Sequence, residues 1–294
     1  MSAAPQEQSA TGRAFIALQY ALPQHLLSRL VHGIARSRVH WFKNALIDNF
    51  VVRYRPDLSD AEQPEPRQYE SFNAFFTRAL RSGARPVDPD PAALVSPVDG
   101  SVSQIGRLDG SWLLQAKGHA YTVESLLAGD ESQAAAFRGG AFATLYLAPN
   151  NYHRIHMPLA GTLRSAWYVP GDLFSVNATT AAGVPGLFAR NERVVCVFGD
   201  GPLSFALVLV GALFVGSMAT VWHGEVTPRS PRQMSPLPLA AAGDGLTLPK
   251  GAEMGRFNMG STVILLLPPG RCAWSAALAP GSPVRVGETL AQLT

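Results

Sequence analysis

Charge is scarce in this chain. Of its 294 residues only 15% are Asp, Glu, Lys or Arg, against roughly 25% in an average soluble protein, while 47% are hydrophobic. That balance excludes intrinsic disorder and predicts extensive burial or contact with lipid. Cysteine is nearly absent: Cys196 and Cys272 are too few for a disulfide scaffold or a cysteine-based zinc site, so a reducing compartment is expected. Residues 1–12 are small and polar and lack the basic-then-apolar pattern of a secretory signal. No repeat or low-complexity tract stands out.

Long apolar runs are also lacking, with one exception. Residues 203–222 carry no charge and reach the ~20 residues a spanning helix needs. The stretch is rich in Val, Phe and Thr, is broken by Gly211 and Gly216, and has no basic flank. Two buried strands joined at a glycine are the better expectation.

The net charge of +3 is unevenly spread. Arg13, Arg29, Arg36, Arg38, Lys43, Arg53 and Arg55 face a single acid, Asp48, in residues 13–55, which leaves the rest of the chain slightly acidic. This basic front end is also apolar at helical spacing: Phe15, Leu18, Leu22; then Leu26, Leu27, Leu30, Val31, Ile34; then Phe42, Ala45, Leu46, Phe50, with Lys43 on the other flank. Such helices either pack on the body through these stripes or lie on an anionic membrane surface. Nothing in the profile points to nucleic acid.

A Pro-punctuated connector spans residues 54–68, and Ser71 is placed to cap a short helix with Phe72, Phe75, Phe76 and Leu80 inside and Gly83 as its stop. Beyond it, short β-type runs at 94–95, 111–115, 142–147, 194–198 and 263–267 alternate with turns drawn from 27 Gly and 23 Pro. Helical pattern returns only near 123–128 and 132–137. The fold class is α+β: N-terminal amphipathic helices, then a mainly antiparallel β core with a few short helices. The division falls at 1–68, a helical membrane-association region with its connector, and 69–294.

Candidate chemistry gathers around His153 and His156, a His-x-x-His pair beside Tyr152 and Arg154, after a Pro-Asn-Asn turn. The pair lacks the third ligand and helical frame of zinc motifs. Asp99, in an Asp-Gly turn, and Ser261, before an apolar strand, could join a histidine as nucleophile, base and orienting acid. Ser261 lacks the G-x-S-x-G elbow of hydrolases, so a serine hydrolase using Ser261, His156 and Asp99 on an uncleaved chain is the alternative rather than the first expectation.

The motifs also fall in a recognisable order: Phe72-Asn73-Ala74-Phe75-Phe76-x-Arg78, Pro97-Val98-Asp99-Gly100, Gln115-Ala116-Lys117-Gly118-His119, Tyr152-His153-Arg154-Ile155-His156-Met157-Pro158, Gly171-Asp172-Leu173-Phe174-Ser175-Val176-Asn177, Phe188-Ala189-Arg190-Asn191-Glu192-Arg193-Val194 and Glu253-Met254-Gly255-x-Phe257-x-x-Gly260-Ser261-Thr262-Val263. Together they resemble the bacterial, pyruvoyl-dependent phosphatidylserine decarboxylases, from about residue 13 to the C-terminus. Met259 stands where that family commonly has Leu, a swap of similar volume, and residues 229–246 match poorly.

The resemblance implies autocatalytic serinolysis between Gly260 and Ser261. It yields chains 1–260 and 261–294 as a heterodimer that dimerises further, with a pyruvoyl group made from Ser261 and neither metal nor PLP. His156 is then the base for cleavage, Asp99 fixes its tautomer and orientation, and His153, expected to titrate near neutrality, donates the proton after decarboxylation through a Schiff base. His119, Phe174, Ser175 and Asn177 are candidate pocket residues. The implied conversion is phosphatidylserine to phosphatidylethanolamine in phospholipid biosynthesis, at the cytoplasmic side of the cell membrane as a peripheral protein.

Overall fold

A computed structural model describes residues 9–199, 204–214, 217–238, 245–259 and 262–294. Three helices open the chain. Ser9 Oγ accepts from the Gly12 N–H at 3.1 Å and starts α1 (Ala10–Ala21); Pro23 separates it from α2 (Gln24–Ala35), and α3 (His40–Tyr54) follows.

Of the two expected orientations, the first two helices take the one that leaves most of their apolar stripes outward. Their buried faces carry Gly12, Ile16 and Gln19, and Gln24, Ser28 and Ala35, while Phe15, Leu18, Leu26, Leu30 and Ile34 are 39–58% exposed. Amide side chains make the docking. Gln19 Oε1 accepts from the Ser175 N–H at 2.7 Å, and Gln24 Oε1 accepts from the Leu173 N–H at 2.6 Å. The apolar stripes therefore face away from the body. In α3 the expected flank is corrected as well: Ala45 is exposed and Lys43 is buried, its ammonium donating to the Arg67 carbonyl at 2.7 Å.

The short helix α4 (Phe72–Phe76) is capped by Ser71 as expected but ends at Thr77, six residues before Gly83, where the Thr77 hydroxyl donates back to the Asn73 carbonyl at 2.9 Å. Phe72, Phe75 and Phe76 surround Phe50 of α3 at 5.3–5.9 Å between ring centroids, mostly edge to face. This aromatic knot ties the front end to the body.

In chain order the strands are β1 (Ala93–Val95), β2 (Gly100–Arg107), β3 (Trp112–Ala116), β4 (His119–Thr122), β5 (Ala141–Tyr146), β6 (Arg154–His156), β7 (Gly161–Val169), β8 (Arg193–Phe198), β9 (Phe205–Val210), β10 (Met218–Thr220), β11 (Gly224–Glu225), β12 (Ser235–Pro236), β13 (Thr247–Leu248), β14 (Glu253–Phe257), β15 (Thr262–Leu267), β16 (Cys272–Trp274), β17 (Pro283–Val284) and β18 (Thr289–Leu293). Between them lie α5 (Val123–Leu126), α6 (Glu131–Ala135), α7 (Ala178–Ala181) and α8 (Leu187–Arg190).

The main antiparallel sheet runs β12-β7-β8-β9-β15-β5-β2-β17, with β13 also on β7. Its middle strands β8, β9 and β15 are buried at every residue, which is why they read as continuous apolar runs. A second sheet, β11-β10-β14-β6, and a third, β1-β18-β16, complete the described strands apart from the hairpin of β3 and β4. Residues 203–222 supply β9 and β10 in their described part, and no helix among the described residues is long and apolar enough to cross a membrane.

Candidate active site

Strand register brings the predicted site residues to one end of the main sheet. Tyr146, the last residue of β5, pairs with Ser101 on one side and Thr262 on the other. Asp99 and Gly100 thus lie at the same end of the sheet as the start of β15, with β5 between them. The approach is close enough that a Cβ on Gly100 would sit 2.3 Å from the Tyr146 carbonyl oxygen, so only glycine fits. The His156 N–H donates to the Pro97 carbonyl at 2.8 Å and fastens β6 to the same segment. From β14, the neighbour of β6, the chain runs directly to Met259. Gly260 and Ser261 themselves lie outside the described residues.

Met259 has φ +125°, a conformation that costs a non-glycine residue about 1–3 kcal/mol. The residue before it is held firmly. Asn258 donates through its backbone N–H to the Ser217 carbonyl at 2.8 Å and through Nδ2 to Ser217 Oγ at 3.0 Å, while Asn73 Nδ2 donates to Asn258 Oδ1 at 3.2 Å.

His156 is held by partners that the sequence did not suggest. Its Nδ1–H donates to the Gly251 carbonyl at 2.7 Å, and Nε2 accepts from the Tyr152 hydroxyl at 3.0 Å. Burial lowers the proton affinity of His156 and keeps the Tyr152 phenol protonated. The expectation that Asp99 sets this tautomer is corrected. The Asp99 carboxylate is instead gripped by Arg85, whose Nε lies 3.0 Å from both oxygens and whose Nη2 lies 2.6 Å from Oδ2, and it also accepts from the Val286 N–H at 2.9 Å. Arg85 follows the short helix outside any motif, so no spacing signal marked it.

His153 is fully buried against Phe76, with ring centroids 4.0 Å apart. Nδ1–H donates to the Asn151 carbonyl at 2.9 Å, and Nε2 has no partner. Burial, with the Arg78 charge nearby, pushes its pKa down to about 3. The expected titration near neutrality is therefore corrected: the resting ring is neutral, and Nε2 offers a lone pair rather than a proton.

A cavity of about 420 Å³ adjoins this cluster, lined by Phe15, Phe50 and Tyr54 of the front helices together with Phe76, Tyr146 and Met259. Ser175 and Asn177 also line it. Phe174 lies on a separate cavity of about 380 Å³ with Tyr20 and Arg190. His119 starts β4, half-buried, away from both. No group of three or more metal-ligating side chains occurs among the described residues.

Comparison with known proteins gives this site its context. Residues 72–292 match the family model described as phosphatidylserine decarboxylase, and residues 14–55 match one described as PSD. The chain is 55% identical over 278 residues to a protein of Pseudomonas fluorescens, covering 95% of this chain and 96% of that one. It is 52% identical to a protein of Stutzerimonas stutzeri, over 95% of this chain and 94% of the relative. Identity to a protein of Methylococcus capsulatus is 51%, over 95% and 96%. All three relatives carry the name phosphatidylserine decarboxylase proenzyme. The chain is thereby an enzyme of the carboxy-lyase class. Within that class it belongs to the phosphatidylserine decarboxylase family.

Proposed function

We propose that the chain converts phosphatidylserine to phosphatidylethanolamine in phospholipid biosynthesis, after cutting itself between Gly260 and Ser261. The observation that carries this reading is the convergence of Asp99, His153 and His156 on the sheet end where the chain passes from Met259 to Thr262. The word proenzyme in the relatives' names supports a processing step.

In that step the Ser261 hydroxyl attacks the Gly260 carbonyl, the amide becomes an ester, β-elimination releases the Gly260 carboxylate and leaves dehydroalanine, and water hydrolyses this to the pyruvoyl group with loss of ammonia. His156 takes the hydroxyl proton on Nε2. Its lowered proton affinity leaves that nitrogen unprotonated at neutral pH, and Tyr152 holds it in place until the serine replaces the phenol. Asp99 acts through its field and through Arg85 rather than by a direct bond to the imidazole. The pyruvoyl group so formed at 261 supplies a carbonyl that accepts the electrons released as CO₂ departs. The cavity at Met259, next to this point of the chain, is lined mainly by apolar side chains.

His153 serves as a proton carrier. Its unpartnered Nε2 is the ring atom that delivers a proton to the substrate Cα once CO₂ has left, a proton that comes from solvent when the substrate is bound.

The substrate is a membrane lipid, and the outward stripe of Phe15, Leu18, Leu26, Leu30 and Ile34 supports a peripheral position on an anionic bilayer, at the cytoplasmic face. The Phe15 end of that stripe lines the cavity at Met259, a path for the headgroup from bilayer to site. In this reading residues 1–68 form the membrane-association region and 69–294 the catalytic domain. The two chains remain together and dimerise further.

Release of labelled CO₂ from carboxyl-labelled phosphatidylserine in detergent micelles tests the reading. The wild-type protein releases it and Ser261→Ala does not; equal release by both contradicts the proposal.

A further inference from the structure

Arg78 is a buried cation without a carboxylate. Its residue is 3% exposed, and it forms no ion pair among the described residues. Nη2 makes one long hydrogen bond, 3.4 Å to the Asn150 carbonyl, and Nε and Nη1 have no partner. Its guanidinium carbon lies 5.9 Å from the centre of the Phe75 ring.

His153 repeats this arrangement one residue on. It is anchored to the next carbonyl of the same turn, that of Asn151, and lies against the next ring of the same helix, that of Phe76. It too is buried, with Nε2 unpartnered. Two orphan N–H groups on Arg78, near an orphan lone pair on His153, are exceptional, because buried polar atoms in native proteins are almost always paired. A neutral acceptor would pair with the N–H groups but leave the charge uncompensated; an anion compensates both.

We infer that Arg78, close to His153, forms a buried receptor for an oxyanion of the substrate's headgroup. The inference rests on the decarboxylase function proposed above and adds the residue that recognises the substrate's negative charge. Placed there, the anion would offset the Arg78 charge that otherwise opposes protonation of His153. Substrate binding then prepares the proton carrier, and a molecule without the anion does not. The headgroup has two oxyanions, the carboxylate and the phosphodiester, and the test separates them.

Arg78→Gln and Arg78→Lys are assayed with short-chain phosphatidylserine in micelles, with melting temperature and fragment formation measured on the same samples. Both variants are expected to fold and to yield both fragments. In Arg78→Gln the KM rises about tenfold or more, with a smaller change in kcat, and Arg78→Lys recovers part of it. Inorganic phosphate or acetate competes with substrate in the wild type and loses that effect in Arg78→Gln. Competition by phosphate assigns the receptor to the phosphodiester, and competition by acetate assigns it to the carboxylate. Wild-type KM in Arg78→Gln overturns the inference, as does absence of competition by both anions in the wild type. A folded Arg78→Gln chain that stays uncut also overturns it, since Arg78 would then serve cleavage. An inactive wild type would count against the decarboxylase function itself. Should Arg78→Gln fail to fold, Arg78→Lys and the wild-type competition decide the matter.

Discussion

Arg85 embraces the Asp99 carboxylate with Nε at 3.0 Å from both oxygens and Nη2 at 2.6 Å from one of them, while its Nη1 reaches Asp60 at 2.8 Å. The side chains of Arg85 and Asp99 are only 15% and 10% exposed. Removing the guanidinium strands a buried carboxylate on the Val286 N–H alone. Arg85→Met is expected to lower stability by about 3 kcal/mol or more and to slow fragment formation, with Arg85→Lys between it and the wild type. Urea denaturation and a time course of electrophoresis check this; unchanged cleavage in a folded Arg85→Met protein would remove Asp99 from the maturation step.

Acid should weaken the fold through the buried imidazoles. The folded pKa of His153 is about 3 and its ordinary value is 6.5, so below pH 6.5 the unfolded chain takes up a proton that the folded chain refuses. Stability is complete above that pH and declines as pH falls toward 3, by up to about 1.4 kcal/mol per unit for this ring. His156, also lowered, adds in the same direction. Denaturant midpoints between pH 7 and 4 should fall more steeply for the wild type than for His153→Gln. Parallel curves would show that His153 is not held neutral.

The outward stripe predicts a membrane contact separable from folding. Leu26→Glu with Leu30→Glu alters residues that are 58% and 55% exposed, so melting temperature should change little. Sedimentation with vesicles containing phosphatidylglycerol should drop about tenfold or more. Binding by the wild type should also weaken with salt, since each basic residue near such a surface contributes about 1 kcal/mol. Undiminished sedimentation of the double variant would place the contact elsewhere.

The segment after the cleavage point is woven into the body. β15 lies between β9 and β5 in the main sheet, β17 pairs with β2, and β18 with β1. The two fragments should therefore co-elute in native size-exclusion chromatography and separate only in denaturant. Loss of the small fragment under native conditions would contradict this packing.

Much of the fold was legible because the central strands are almost wholly apolar: residues 142–147, 194–198 and 263–267 read as buried runs. The orientation of the front helices was not. Periodicity says that Phe15 and Leu18 share a face, but not that Gln19 and Gln24 meet backbone groups some 150 residues away. The site was half legible in the same sense. His153, His156 and Asp99 stand out as residue types in short motifs, whereas the partners that hold them are tertiary: Gly251 for His156, Arg85 for Asp99, Phe76 for His153. No local spacing encodes those contacts.

Intact mass spectrometry of the purified wild-type protein tests the central claim most directly. The account predicts two species, residues 1–260 and residues 261–294, the smaller without a free amino terminus and carrying the mass of a pyruvoyl group in place of serine. A single chain with an unaltered Ser261 that still decarboxylates phosphatidylserine would contradict it.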